Sequence, residues 1–520
     1  MSASFLHGVE VIETTVGPLP VSVVKSAVIG LIGSAPRWAA GASPAAGQTP
    51  TLVSSQSDAA TFGPLIKGYT IPYALNAIQE QGAGQAIVID VFNPATHNTA
   101  VAATAFSFPA SGKPQVINLG HMGILGPNGP TGVGTGPAVT NAAGSTTYVE
   151  GTDYNVDYVN GLITALPGGA ITAGEAIKVV FSYCDPSKVA DADICGAVTG
   201  TPAVYSGIQA LLTTFNSMGF VAKILIAPRY SQDQTVAAAL DAAAQSLRAI
   251  ALVDSPPSTA VATAIANRGL SGNAFDTSSK RTVLCFPQQK FTDNGIDPTK
   301  VTLDVNGNPV TTPIGATAVA PYSEWVAGAI AAMDLADGYW YSPSNQQIDG
   351  ILGGDVAIQQ GRLDDPTTDP NQLNAAGILT IFNAFGTGLR TWGNRSAAYP
   401  TSTAPDNFIC IRRTLDVIEE SIELATLQFL DLPINNALIT QILATVNAFI
   451  RTLIQRGALE PGSAATYNPA DNPPSQLAAG QLVFELNIMP PPPAERITYN
   501  TFVDINLLSA LGNTTAAQAT

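Results

Sequence analysis

Charge is scarce in this chain of 520 residues, and positive charge is the scarcest. Asp, Glu, Lys and Arg make up 12% of the residues, about half of the usual share, whereas hydrophobic residues make up 46%. The formal net charge is -16 and no run of Lys and Arg exists, so we expect no direct binding of nucleic acid. A surface with so few charges favours a protein that is largely covered in an assembly, or alternatively a secreted Thr/Ala/Gly-rich protein.

Histidine and cysteine are too few and too scattered for the common catalytic and metal sites. No histidine follows His121, so a Ser/His/Asp or Cys/His triad drawn from the second half of the chain is excluded, and His7 and His97 are distant. The cysteines form no C-x-x-C motif and are predicted to be buried thiols; they are Cys184, Cys195, Cys285 and Cys410. We therefore expect no catalytic residue, no cofactor and no metal site.

Long hydrophobic runs are also missing. The longest candidate, Val21 to Ala35, is interrupted by Lys25, so no membrane span is expected. Glu10 and Glu13 occupy positions where a signal peptide needs positive charge, so export by that route is not expected either.

Changes of composition along the chain predict a multidomain protein of the α/β class, which is α+β when the whole chain is considered. A mixed-sheet core is expected from the N-terminal and C-terminal segments, with an inserted β-domain and an α/β layer that has a mainly parallel sheet. The predicted segments are an N-terminal strand arm (1–20), an N-terminal core segment (21–95), a β-rich inserted domain (96–196), an α/β domain (197–370), the C-terminal core (371–494) and a C-terminal strand arm (495–520).

From Thr201 onward the pattern alternates between helix and strand, as in a parallel sheet. A helix is expected after Ser231, which would form a capping box with Gln234. The other predicted helices are Val204–Met218, Thr259–Asn267 and Pro321 to about Asp337, and the predicted strands are Val221–Ala227, Ala249–Asp254 and Thr282–Phe286.

The C-terminal region reads as two helices and two strands that cannot bury themselves alone. The helices are Thr414–Phe429 and one that ends at Arg456; the strands are Gln481–Met489 and Ile497–Leu508, separated by Pro490 to Pro493. Unpaired strands are poor elements for a monomer, so this region is expected to bind a neighbour.

Four groups of residues resemble functional sites but have a simpler interpretation. Gly132 to Gly136 is glycine-rich, yet no strand leads into it and Pro137 follows, which favours a loop over a phosphate cradle. Asp254 ends a strand but lacks catalytic companions. A solvated acidic loop is expected at Asp355, Asp364, Asp365 and Asp369, and an exposed helix face at Glu419, Glu420 and Glu423.

Several separated motifs together resemble the tail sheath protein of contractile-tailed bacteriophages, a family shared in outline with R-type bacteriocins and type VI secretion sheaths. The motifs are HGVEVIE (His7–Glu13), SAVIGLIGSAP (Ser26–Pro36), TIPYALNAI (Thr70–Ile78), DYNVDYVNGLIT (Asp153–Thr164), SEWVAGAIAAMD (Ser323–Asp334), SPSNQQIDGI (Ser342–Ile351), Leu373–Arg395 closing on WGNR, and LAAGQLVFELNIMPPPPAERI (Leu477–Ile497). The chain departs from the shortest sheaths of this type by a longer Gly/Thr-rich insertion after Asn93.

The resemblance implies a structural subunit that polymerises around a tail tube and contracts to drive the tube through the target cell envelope for genome ejection. The implied partners are identical subunits in stacked rings, the tail tube protein, and the baseplate and tail terminator proteins. The implied location is the virion tail, assembled in the host bacterial cytoplasm. We expect inter-subunit strand arms at Val9, Val11, Ile12, Phe502, Val503 and Ile505, with hinges at Gly17–Pro20 and Pro490–Pro493.

Arg451 and Arg456 are possible contacts to the tube, although their place near the end of a helix favours the simpler role of a basic pair at its negative dipole end. Two other functions stay open at the level of sequence. One is a nucleotide-binding α/β enzyme that uses the layer Thr201–Phe286, and the other is a secreted surface-layer or adhesin protein.

Overall fold

The computed structural model describes residues 20–512 except 42–47, 83 and 385. The first strands are β1 (Ile29–Gly33), β2 (Thr51–Val53), β3 (Ala86–Asp90), β4 (Asn98–Ser107), β5 (Val116–Asn118), β6 (Ala138–Asn141), β7 (Tyr154–Asp157), β8 (Leu162–Ala165), β9 (Ala176–Cys184), β10 (Val198–Thr199) and β11 (Val204–Tyr205). The later ones are β12 (Ile224–Ile226), β13 (Ile250–Asp254), β14 (Thr282–Cys285), β15 (Gln289–Thr292), β16 (Thr302–Leu303), β17 (Pro309–Val310), β18 (Thr317–Ala320), β19 (Gly353–Gly354), β20 (Ile378–Asn383), β21 (Leu389–Trp392), β22 (Ala464–Thr466) and β23 (Glu485–Asn487). The α-helices are α1 (Gln56–Ala60), α2 (Ile71–Glu80), α3 (Asp191–Cys195), α4 (Thr214–Met218), α5 (Gln234–Leu247), α6 (Val261–Ala266), α7 (Ser323–Ala336), α8 (Asp369–Ala375), α9 (Ile409–Thr426), α10 (Asn436–Gln455) and α11 (Pro474–Ala478).

An eight-stranded sheet in the order β2-β3-β1-β12-β13-β14-β20-β21 forms the centre of the molecule. Its six inner strands are parallel, whereas the edge strands β2 and β21 pair antiparallel to their neighbours. Every residue of β1, β3, β12, β13 and β14 is buried, which accounts for their largely apolar sequences.

This sheet joins segments that the sequence analysis placed in different domains. Strands β1 to β3 come from the predicted N-terminal core segment, β12 to β14 from the predicted α/β domain, and β20 and β21 from the predicted C-terminal core. Ile29 in β1 lies beside both Ala86 and Ile224, so the central pairing spans almost 200 residues of sequence. The predicted boundaries therefore do not separate sheets, because local periodicity carries no information about which distant strands pair.

Helices cover both faces of the sheet. On one face, α2 and α7 pack against alternate strand residues such as Leu31 and Leu252. On the other face, α5 packs against Ile32 and Leu225. The contact between α2 and α7 is close at Gly328, where a β-carbon would lie 3.0 Å from the Cα of Ile78. The result is a three-layer α/β/α core.

The segment expected to be β-rich contains β4 to β9. These strands form two antiparallel sheets, β4-β9-β6 and β5-β8-β7, around a hydrophobic core of their own. Tyr154 and Phe181 are among the buried residues of that core. The Gly132 to Gly136 segment lies in the loop between β5 and β6, as expected.

Two local predictions in the α/β layer are wrong. The region Val204–Met218 is not one helix but β11, a 3-10 turn and α4, because Gly207 adopts a left-handed φ of 52° that interrupts a helix. Helix α5 is capped by Asp233, whose carboxylate accepts from the Thr235 backbone N–H at 2.7 Å. Ser231 does not cap this helix because its hydroxyl bonds to Asp254.

Candidate assembly surface

The C-terminal module consists of α9, α10, β22 and β23 around a separate hydrophobic core. Ile418 and Ile422 of α9 face Val446, Phe449 and Leu453 of α10, as the apolar periodicity predicted. Helix α9 starts at Ile409, five residues before the predicted position, because its first turn buries Ile409, Cys410 and Ile411. Among the described residues, α10 also has the length and hydropathy of a membrane-crossing helix; its buried side chains are part of the core shared with α9.

Helix α9 is attached to the sheet by a row of ion pairs. Its acidic residues occur at spacings of three and four, which places them on one helix face. Opposite them are basic residues at the starts of three adjacent parallel strands. The pairs are Lys223 with Glu420, Arg248 with Glu419 and Glu423, and Arg281 with Asp416. This face therefore binds the sheet instead of only facing solvent.

The expectation of an exposed glutamate face needs correction at Glu420. Its side chain is 15% exposed and pairs with Lys223, whose side chain is 4% exposed. Burial lowers the pKa of Lys223, while the hydrogen bond to Glu420 opposes that effect. Glu423 is 61% exposed and fits the prediction better, although it binds Arg248. The missed signal was the placement of Lys223, Arg248 and Arg281 at or just before buried strands, where basic residues are unexpected unless paired.

A second attachment is buried almost completely. The guanidinium of Arg413 in α9 makes a bidentate contact to Asp334 in α7 and donates to the Ser26 carbonyl at 3.2 Å. The two side chains are 4% and 0% exposed. The pair connects the C-terminal module to the core helix α7 and to the segment before β1.

The chain leaves this module through a small open sheet. Strands β22 and β23 pair antiparallel, with Ala465 opposite Leu486, and within the described ranges neither has a second strand beside it. The first predicted strand, Gln481–Met489, is thus present in shortened form as β23. Among the described residues, β23 retains an edge whose backbone groups are available for pairing, whereas on β22 the Asn447 side chain bonds both the N–H and the carbonyl of Ala465.

The second predicted strand, Ile497–Leu508, is absent from the isolated subunit. Residues 490–504 have no regular structure, and a 3-10 helix follows at Ile505–Gly512. Phe502, Val503 and Ile505 are 85%, 93% and 73% exposed. No partner strand lies beside this segment in the described part of the subunit, which is why a strand does not form there.

The remaining predicted contact residues are placed as follows. Arg451 lies in the last turns of α10 and Arg456 at its C-cap, and both are exposed. Val9, Val11 and Ile12 lie outside the described residues, as does most of the predicted Gly17–Pro20 hinge.

The acidic loop has structural roles. Asp364 pairs with Arg362, Asp365 accepts from Thr367, and Asp369 accepts from the backbone N–H of Gln359. Asp355 accepts from the backbone N–H of Ser258. In the part of the chain that the structure describes, no group of three or more His, Cys, Asp and Glu residues could hold a metal ion. The four cysteines are free, with Cys195 half-buried and the other three buried.

Asp254 and Glu324 are buried carboxyl groups at the carboxyl end of the sheet. Asp254 accepts from Ser231 and from both the hydroxyl and the backbone N–H of Ser323, so it connects β13 to the start of α7. Burial raises the pKa of Asp254 to about 6, and these hydrogen bonds oppose the rise. Burial raises the pKa of Glu324 to about 8, with Arg229 lowering it and Asp254 adding to the rise. The geometry gives Asp254 a structural role, and the sequence offered no sign of Glu324.

Comparison with known protein families identifies both the central and the C-terminal regions. Residues 203–397 match the phage tail sheath protein central domain, and residues 401–504 match the phage tail sheath C-terminal domain. The chain is 43% identical over 514 residues to the tail sheath protein of Burkholderia phage BcepMu, which covers 98% of this chain and 99% of that protein. It is 27% identical over 303 residues to the major tail sheath protein of Serratia phage KSP20, covering 58% of this chain and 68% of that protein.

Solved structures share the fold at low sequence identity. The sheath of the PVC extracellular contractile injection system in the contracted state has a TM-score of 0.54 and 13% identity, covering 98% of this chain and all of that chain (100%). The helical sheath of the anti-feeding prophage in the contracted state has a TM-score of 0.56 and 16% identity, covering 96% and 100% of the two chains. With 43% identity to a tail sheath protein along nearly its whole length, the chain belongs to the phage tail sheath protein family.

Proposed function

We propose that this sheath subunit polymerises into a helical homopolymer of stacked rings around a tail tube, and that contraction of the polymer drives the tube through the target cell envelope for genome ejection. The observation that carries the proposal is the near full-length identity of 43% to a tail sheath protein. The role is structural, without catalysis, in the virion tail after assembly in the host cytoplasm. The proposed partners are the tail tube protein, the baseplate and the tail terminator.

Subunits are held together by exchanged strands in this proposal. The exposed apolar side chains of Phe502, Val503 and Ile505 are not covered by the described residues of the subunit, and 85% exposure of a phenylalanine is unfavourable in water. The β23 edge of the β22–β23 sheet offers the complementary feature, because no second strand pairs with it among the described residues. Addition of an arm from another subunit would cover these side chains and pair the free backbone groups of the strand edge. The N-terminal arm with Val9, Val11 and Ile12 is proposed to act in the same way from the other end of the chain.

Exchanged arms also give a reason why subunits stay connected while their bodies rotate. A strand that is tethered to the neighbouring subunit rebinds at an effective concentration in the millimolar range for a short flexible linker. The contacts between subunit bodies can then change from an extended to a more buried arrangement without dissociation. The lattice is bistable in the sense that two packings of the same parts are possible.

Negative-stain electron microscopy of purified variants tests the role of the arms. Deletion of residues 1–20, or serine substitution of Phe502, Val503 and Ile505 together, should leave soluble monomers or misassembled rings. A matched control is Val305→Ser, since Val305 is 89% exposed in the β16–β17 turn and belongs to neither arm. Sheaths of normal length and regularity from both arm variants would contradict strand exchange.

A further inference from the structure

Arg395 holds the base of the C-terminal arm through an unusually complete set of contacts. Its Nε lies 3.0 Å and its Nη2 lies 2.6 Å from the two carboxylate oxygens of Glu495, a residue 100 positions later in the sequence. Its Nη1 donates to the Asn407 side-chain oxygen at 2.7 Å. A planar guanidinium suits this fork geometry, and a lysine ammonium does not.

The guanidinium is oriented independently of Glu495. Its carbon lies 3.7 Å from the ring centre of Phe408 and 4.8 Å from that of Tyr399, both within the range of cation–π attraction. The side chain of Arg395 is 16% exposed, whereas that of Glu495 is 46% exposed. The arginine is therefore a fixed receptor on the body of the subunit, and the glutamate is the part that can be released.

The segment between β23 and Glu495 is held at both ends. The Met489 carbonyl accepts from the Glu460 backbone N–H at 2.8 Å, which fixes the start. Pro490 is buried, and the four consecutive prolines limit the backbone to an extended, semi-rigid form. From Ala494 to Leu508 every residue is exposed, and beyond Glu495 the apolar side chains Ile497 and Tyr499 are 68% and 86% exposed.

We propose that Arg395 is a positioning residue whose ion pair with Glu495 fixes the point and direction at which the C-terminal arm leaves the subunit. The free span of the arm then begins at Arg496, and Pro490–Pro493 acts as a stiff strap and not as the hinge that the sequence predicted. This inference rests on the proposed exchange of arms between subunits.

The expected size of the effect follows from the length of free chain. Phe502 lies seven positions after Glu495 but thirteen positions after Met489. Effective concentration falls roughly as the −3/2 power of the length of a flexible linker; because four of the added positions are stiff prolines, release of the pair should lower it by at most roughly 2.5-fold. The critical concentration for sheath assembly should rise by about the same factor, and the polymers should be less regular.

The test compares Glu495→Gln with Arg395→Lys and with deletion of residues 496–520, each measured by sedimentation of assembled sheath against subunit concentration. Glu80→Gln is the matched control, because this exposed glutamate of α2 makes the same charge change, forms no ion pair within the described chain, and belongs neither to an arm nor to the β22–β23 sheet. Glu495→Gln and Arg395→Lys should both raise the critical concentration, and the control should not. Glu495→Gln should have no further effect in the deletion background, since no arm is left to position.

The outcomes separate this inference from the function it rests on. If the deletion prevents assembly but Glu495→Gln assembles at the normal critical concentration, the positioning role is wrong and strand exchange survives. If the deletion assembles normally, the proposed role of the C-terminal arm itself is wrong. If Glu495→Gln lowers the unfolding free energy of the unassembled subunit equally with and without the arm, the pair is a folding contact and the proposal fails.

Discussion

The Arg413→Met substitution should lower the free energy of unfolding by about 3 to 5 kcal/mol, the usual cost of removing one member of a buried ion pair. The magnitude follows from the burial of the pair, because the side chain of Asp334 is 0% exposed and would remain without its cation. Methionine keeps the apolar volume of the arginine stem, so the main loss is the charge and its hydrogen bonds, including the one to the Ser26 carbonyl. The attachment of α9 to α7 should weaken before the rest of the core.

A double substitution separates the destabilisation caused by an unpaired buried charge from the net contribution of the ion pair to stability. Arg413→Met combined with Asp334→Leu should recover at least half of the lost stability, because neither charge is then buried alone. Urea unfolding of the unassembled subunit measures both, together with hydrogen exchange of the α9 amides. Arg362→Met is the control, since Arg362 and Asp364 are 82% and 67% exposed, and it should change nothing measurable. A loss of less than about 1 kcal/mol in the free energy of unfolding for Arg413→Met would refute the argument. So would a double variant that loses as much stability as Arg413→Met and Asp334→Leu lose together.

Two further predictions concern buried and exposed charge. The pKa of Glu324 is raised to about 8 from its ordinary value of 4.5, so the folded state retains a proton that the unfolded chain has lost. The free energy of unfolding should therefore fall as pH rises from 4.5 to 8, and Glu324→Gln should remove up to a few kcal/mol of that fall. Urea unfolding at several pH values measures it, and an equal dependence on pH in both proteins would contradict this. Charge reversal of Arg451 and Arg456 together should weaken co-sedimentation with tail tubes, whereas Arg362→Glu should not, and unchanged tube binding would remove both residues as tube contacts.

The helices of the C-terminal module could be predicted because their apolar residues repeat at helical spacing. Ile418 and Ile422, or Val446 and Phe449, are a complete local signal that does not depend on the rest of the fold. The buried strands could also be predicted locally, from their short runs of apolar residues. Element boundaries were less accurate where a backbone feature intervened, as at Gly207, or where two acceptable caps, Ser231 and Asp233, lie two residues apart.

The sheet connectivity and the ion pairs could not be predicted because they depend on distant regions of the chain. Nothing near Ile29 identifies Ile224 as its neighbour. Likewise, the glutamates of α9 have the spacing of an exposed helix face, and only the folded sheet brings Lys223 next to Glu420. The arm residues stay a prediction, which rests on an apolar pattern without a partner and so concerns assembly more than the fold of the subunit.

The position of α9 has a consequence for how a sheath of this kind could transmit movement. The C-terminal module carries the open β22–β23 sheet and the proposed arm, and α9 is its connection to the rigid sheet through Arg281, Arg413 and Lys223. Two of these contacts lie at strand starts and one reaches α7, so a load on the module is spread over several elements of the core. Exposed ion pairs alone would give little resistance, since they are worth less than about 1 kcal/mol each. We therefore propose that burial of Arg413 and Lys223 lets the module and the core move as one body, and that the flexible points of the subunit lie beyond them, in the arms.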